Sequence, residues 1–167
     1  MDKKTIQQKV KEVAKKFTAT DYFYGNWAQV DVLLDHINSA PEDYDRPVIC
    51  HILPVSGTLF PKYNARMFKD SPETIIAFLV RSELDFDGEE NEDKVELMKR
   101  LAKMFIVALN RSGFFEEIDE EEIPYQVPYD TADDNVTGVI VTLRLKEVEG
   151  LHICDLSNEQ ENFGYTE

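Results

Sequence analysis

The sequence predicts an α+β domain: a mainly antiparallel sheet of about four to five strands packed against one long helix, with N-terminal helices before it and an extended C-terminal tail after it. Three observations carry that prediction. Residues 91–112 repeat Val95, Met98, Ala102, Phe105 and Leu109 at helical spacing, the longest such run in the chain. Residues 47–54 and 73–81 are short apolar runs, the first bracketed by prolines and rich in β-branched side chains, and both read as strands. Residues 139–148 alternate, with Val139, Val141, Leu143 and Leu145 on one side and Thr142, Arg144 and Lys146 on the other, the period of a strand with one buried face.

In chain order, Ile6, Val10, Val13 and Phe17 draw one apolar stripe along a first helix within residues 1–18. Residues 21–25 are a short extended piece ending at Gly25. Asn26 caps a second helix with Trp27, Val30, Leu34 and Ile37 on one face, stopped by Ser39-Ala40-Pro41. Residues 47–54 form a buried strand. After Gly57-Thr58, residues 59–68 alternate loosely around Pro61 and suit an edge or bulged strand. Beyond Lys69-Asp70-Ser71-Pro72, the unbroken apolar character of residues 73–81 suits a central strand covered on both faces. In the long helix, Leu97, Leu101, Met104 and Ala108 widen the stripe beyond one face, the mark of a core helix, and Arg111 with Gly113 closes it. Residues 123–129 and 139–148 then form a hairpin across the polar tip 130–135, Pro124 and Pro128 placing its first strand at an edge. The organisation is thus a basic helix (1–18), a single body (19–148) and a tail (149–167).

The chain has 167 residues, enough for one core, and its 33 acidic against 18 basic side chains leave a formal charge of −15. No run approaches the ~18 apolar residues of a membrane span and no apolar signal core follows Met1, so the expectation is a protein that stays in the cytoplasm where it is made, without membrane partners. Cys50 and Cys154 form no CxxC pair and read as reduced thiols. Charge is uneven: residues 1–16 carry Lys3, Lys4, Lys9, Lys11, Lys15 and Lys16 against Asp2 and Glu12, a basic segment on an acidic body. Three readings of it stand side by side: a helix packing its stripe on its own core, a membrane-surface helix, or a helix docking on the acidic face of a neighbouring copy or partner. The overall negative charge works against sequence-reading duplex DNA.

The search for chemistry returns absences. Glu83-x-Asp85-x-Asp87-Gly88 resembles the start of a calcium loop, but Lys94 stands at position twelve, where a bidentate Glu is needed. His36, His51 and His152 show no metal-ligand spacing. No nucleophile elbow, Walker loop or dinucleotide fingerprint is present. Cys50 and His51 are neighbours on a strand, point to opposite faces and do not readily share a proton. No cofactor, metal or catalytic residue is expected, and the chain reads as a non-enzyme.

Four segments carry a resemblance: Tyr24-Gly25-Asn26, residues 46–54 (Arg-Pro-Val-Ile-Cys-His-Ile-Leu-Pro), the passage 75–87, and residues 98–106 (Met-Lys-Arg-Leu-Ala-Lys-Met-Phe-Ile). They resemble small structural proteins of tailed bacteriophages that infect Bacteroidetes-type bacteria, and the element order over residues 20–148 is similar to that of tail-terminator or tail-completion proteins. That resemblance implies a virion component forming a homo-oligomeric ring in the neck or tail, with portal-side and tail-side rings as partners, genomic DNA passing through its lumen, and no enzymatic step. The candidate contacts are Lys3, Lys4, Lys9, Lys11, Lys15 and Lys16 on the first helix and Phe163 and Tyr165 as aromatic anchors in the tail. Asp85, Asp87, Glu89, Glu90, Glu116, Glu117, Glu120, Glu121 and Glu122 are candidates for an acidic lumen, which lets DNA slide without adhering, or for a docking face. The rivals are a monomeric acidic module that mimics DNA or occupies a basic partner, and a metal-dependent hydrolase built on the acidic clusters.

Overall fold

In the computed structural model, which describes residues 4–39, 45–82, 88–119, 121–128, 136–152 and 154, the elements follow as α1 (Ile6–Ala14), β1 (Asp21–Gly25), α2 (Trp27–Asn38), β2 (Val48–Ile52), β3 (Gly57–Lys62), β4 (Met67–Arg81), α3 (Gly88–Arg111), β5 (Tyr125–Gln126), β6 (Val136–Arg144) and β7 (Leu151–His152). The class is α+β, but the sheet is larger than expected and mixed. Among the described residues it has seven strands, ordered β1-β2-β4-β6-β5, with β3 and β7 also paired to β4. β1 lies parallel to β2 with Phe23 opposite Cys50, and the other pairings are antiparallel. The parallel pair follows from α2, which lies between the two strands and returns the chain in its original direction.

Helices cover both faces, where one long helix was expected. On one side α1 and α3 bury Val10, Val13, Met98 and Phe105 against Ile76, Phe78 and Val141; on the other, α2 buries Val30, Leu34 and Ile37 against Cys50, Ala77 and Leu79. Alternate residues of β4 therefore feed two cores, and this is what the unbroken apolar run 73–81 requires. The Phe105 ring sits 5.6 Å from both Phe17 and Phe78.

Local chemistry sets the helix ends. Thr5 with Gln8, and Asn26 with Gln29, close reciprocal capping boxes at the starts of α1 and α2. Past Arg111, Gly113 takes φ +73°, a left-handed conformation that costs glycine nothing. Gly138, opposite Leu79, has φ +151°, and a Cβ there would collide with the Phe78 carbonyl oxygen; only glycine lets β6 close on β4.

Two expected boundaries move. Residues 59–68, read as one strand, span the end of β3, a turn and the start of β4, while the polar 69–72, read as a break, is the middle of a continuous 15-residue β4. The turn falls at Tyr63, Asn64 and Ala65, with φ of 53°, 56° and 61°. The polar stretch stays in the strand because each of residues 69–72 is paired to β3, from Phe60 opposite Lys69 to Gly57 opposite Pro72. The expected hairpin of residues 123–129 with 139–148 is present, as the two-residue edge strand β5 on β6. β7 shows that the expected tail opens as a strand, paired to Met67 and Phe68; residues 155–167 lie outside the described residues. No helix among the described residues is long and apolar enough to cross a membrane.

Candidate interaction surfaces

The first helix is docked on its own chain. Val10 and Val13 are fully buried, Ile6 and Phe17 pack beside them, and Lys9 Nζ donates to Glu147 Oε1 at 2.6 Å in a buried pair. Of the three readings of the apolar stripe, packing on its own core is the one found, and Lys9 is corrected from a docking cation to a structural one. Lys4 bridges to Glu12 at 2.8 Å on the surface. Lys11 on α1, and Lys15 and Lys16 just past its end, are exposed.

The acidic candidates separate in the same way. Glu116 is bound by Lys69 at 2.8 Å and Lys146 at 3.2 Å, and the Lys69 ammonium, followed by that of Lys146, holds its carboxyl below the usual carboxylate range. It ties β4 to the segment after α3 and is not a free docking charge. That segment is pinned by Asn110, whose amide donates to the Ile118 carbonyl at 3.1 Å and accepts from its N–H at 3.0 Å. Glu117, Glu121 and Glu122 are exposed beside it, and Glu89 and Glu90 are exposed in the first turn of α3, where negative charge suits the helix dipole. Lys3, Asp85, Asp87, Glu120, Phe163 and Tyr165 lie outside the described residues.

A surface that sequence analysis did not single out is the hairpin of β3 with the first residues of β4. All of β3 is exposed except half-buried Phe60, which lies under Lys146 Nζ at 4.8 Å. Leu59 is 67% and Tyr63 73% exposed. Three consecutive non-glycine residues in the left-handed region make a strained tip, at about 1 kcal/mol or more each. Its loose alternation was legible, and its turn was marked only by Asn64, a residue that tolerates the left-handed region.

Behind the hairpin an open cleft of about 690 Å³ is lined by Lys4, Tyr24, His51, Phe68, Asp70 and Glu147 among others. His51 Nδ1 is 3.2 Å from the Tyr22 hydroxyl, and its ring 4.9 Å from that of Tyr24. Burial pushes the imidazole down to about 4, so it is neutral at pH 7, far from the matched value a general base needs. Burial raises the Tyr22 phenol, lifts Cys50 to about 12, and with Glu147 nearby lifts Asp70. Cys50 faces the α2 core and His51 the cleft, on opposite sides of β2. Among the described residues no three His, Cys, Asp or Glu side chains converge as a metal site.

Compared with protein-family models, curated proteins and solved structures, the chain has no match in any of the three.

Proposed function

We propose that this chain is a structural component of a bacteriophage virion, without enzymatic activity, that closes head to tail into a ring in the neck or tail, with portal-side and tail-side rings above and below it and DNA in its lumen. The phage setting comes from the sequence resemblance. The observation that supports assembly is the β3–β4 hairpin: an ordered ladder that presents Leu59 and Tyr63 to solvent and adds little to either core. A two-stranded hairpin is marginal by itself, and the exposed edge of β3, with Leu59 and Tyr63 beside it, offers a ladder on which a second chain pairs. Opposite charges, Lys11, Lys15 and Lys16 on and just after α1 against the exposed carboxylates of the body, make a contact between unlike surfaces of two copies favourable. An acidic lumen formed by the body then repels DNA.

The test is native mass by light scattering across a range of salt, with negative-stain images of any large species. A closed ring is the expected result. A strict monomer that binds a basic protein tightly overturns the ring in favour of an acidic binding module.

A further inference from the structure

Among the described residues β3 pairs only with β4, which leaves its other edge open. The ladder decides which main-chain groups that edge presents. Glu73 N–H donates to the Ser56 carbonyl at 2.9 Å, and from that bonded pair the alternation of an antiparallel ladder turns Thr58, Phe60 and Lys62 towards β4 and Gly57, Leu59 and Pro61 outward. The prolines fit this phase: Pro61, and Pro72 opposite Gly57, fall where β3 and β4 exchange no bond, and neither has an N–H to give. The open edge therefore offers the N–H groups of Gly57 and Leu59 and the carbonyls of Gly57, Leu59 and Pro61.

The side chains of this edge are balanced about Leu59. Val55 and Tyr63 stand four residues to either side of it, and the three are 95% (Val55), 67% (Leu59) and 73% (Tyr63) exposed. Three residues after Leu59 is the exposed Lys62; three before it is Ser56, whose hydroxyl donates to the exposed Glu73 carboxylate at 3.0 Å. Neither charge has an ion-pair partner among the described residues.

We infer that the edge of β3 binds the same edge of a second copy, antiparallel about a two-fold axis at Leu59. Leu59 of each copy exchanges both main-chain bonds with Leu59 of the other, and each Gly57 N–H donates to the Pro61 carbonyl of the other copy. Val55 then comes opposite Tyr63, and Phe60 opposite Thr58, an aromatic beside a β-branched side chain. Lys62 comes opposite Ser56 with Glu73 one strand behind it, ~10 Å between Cα atoms and within reach of two extended side chains, and this happens at both ends. Sliding one copy by two residues sets Leu59 against Gly57 or Pro61 and takes Lys62 off Glu73. A parallel pair sets Lys62 on Lys62, and a strand of another protein needs no such balance about Leu59. The inference rests on the reading of this edge as an assembly surface. An isologous contact closes at two copies, so a ring still requires the unlike contact made by the α1 lysines. The contact is small and partly ionic, so it weakens on dilution and in salt.

Disulfide capture tests the register. In a Cys154→Ser background, with Cys50 buried, Leu59→Cys sets two thiols directly opposite each other, about 5.5 Å apart between Cα atoms and within disulfide reach. Ser56→Cys alone, or Lys62→Cys alone, sets them six positions out of line, roughly 20 Å apart at 3.3 Å per residue, whereas a mixture of those two variants sets positions 56 and 62 opposite. Mild oxidation at micromolar protein is expected to give at least ten times more covalent dimer from Leu59→Cys than from either of the others alone, and a cross-linked heterodimer from the mixture. No dimer from Leu59→Cys, no heterodimer from the mixture, or equal yields from Leu59→Cys and Lys62→Cys overturn the inference. Adding Lys62→Glu to Leu59→Cys is expected to lower its yield severalfold and adding Glu73→Lys as well to restore it; a yield indifferent to both also overturns it. A ring without capture at position 59 defeats this contact and leaves the ring; a captured dimer as the largest species does the reverse.

Discussion

The two halves of β4 sit in opposite surroundings. Residues 73–81 run between β2 and β6 with helices over both faces, and Ile76, Ala77 and Phe78 are fully buried. Residues 67–70 run between β3 and the two-residue β7, and none is buried. One strand thus joins a stable core to a ladder whose side chains contribute little to it, and local stability follows burial rather than strand length. Residues 73–81 hold the fold together; residues 67–70 contribute no fully buried side chain to it.

Truncation on each side gives the widest separation. Phe78→Ala is expected to lose about 3–5 kcal/mol in urea unfolding, and Leu59→Ala less than about 0.5 kcal/mol. Similar losses would dissolve the distinction. Lys9→Met strands the Glu147 carboxylate in a buried site and is expected to cost about 3–5 kcal/mol, most of it regained in Lys9→Met/Glu147→Gln; a near-neutral single variant would show α1 to be a detachable arm after all.

His51, at the cleft side of the sheet, gives a pH-dependent version of the same comparison. Its folded value of about 4 lies below the unfolded 6.5, so the unfolded chain takes up the proton first. Stability from the neutral imidazole is complete above about pH 6.5 and is lost as pH falls toward 4, roughly 3 kcal/mol in all. Thermal unfolding of His51→Gln against pH is expected to lack that slope, and an unchanged slope would contradict the assignment. The smallest effect on folding belongs to Lys11→Glu/Lys15→Glu/Lys16→Glu, which is expected to leave the melting temperature within a few degrees while reducing assembly at physiological salt.

What was legible in the sequence follows burial too. The two-sided core was written in residues 75–80, the edge position of β5 in Pro124 and Pro128, and the α2 start in Asn26. Coverage of the sheet by helices on both faces was implied by the same run and not carried through to α2. The β3–β4 turn was marked only by Asn64, a residue that tolerates the left-handed region, and the polar 69–72 imitated a loop because it lacks apolar alternation and ends in Pro72. Leu97 and Met104 were read as core because periodicity reports a helix's apolar width, not which side the body occupies. Lys9 was counted with its neighbours because sequence does not reveal a carboxylate 138 positions away.

The central claim is that the hairpin half of β4 serves assembly and not folding. Native mass by light scattering on the unaltered chain and on Leu59→Ser/Tyr63→Ser, with thermal unfolding of both, tests it most directly. The account predicts a ring for the first, smaller species for the second, and melting temperatures within a few degrees of each other. Equal masses, or a variant that unfolds before it disassembles, would contradict it.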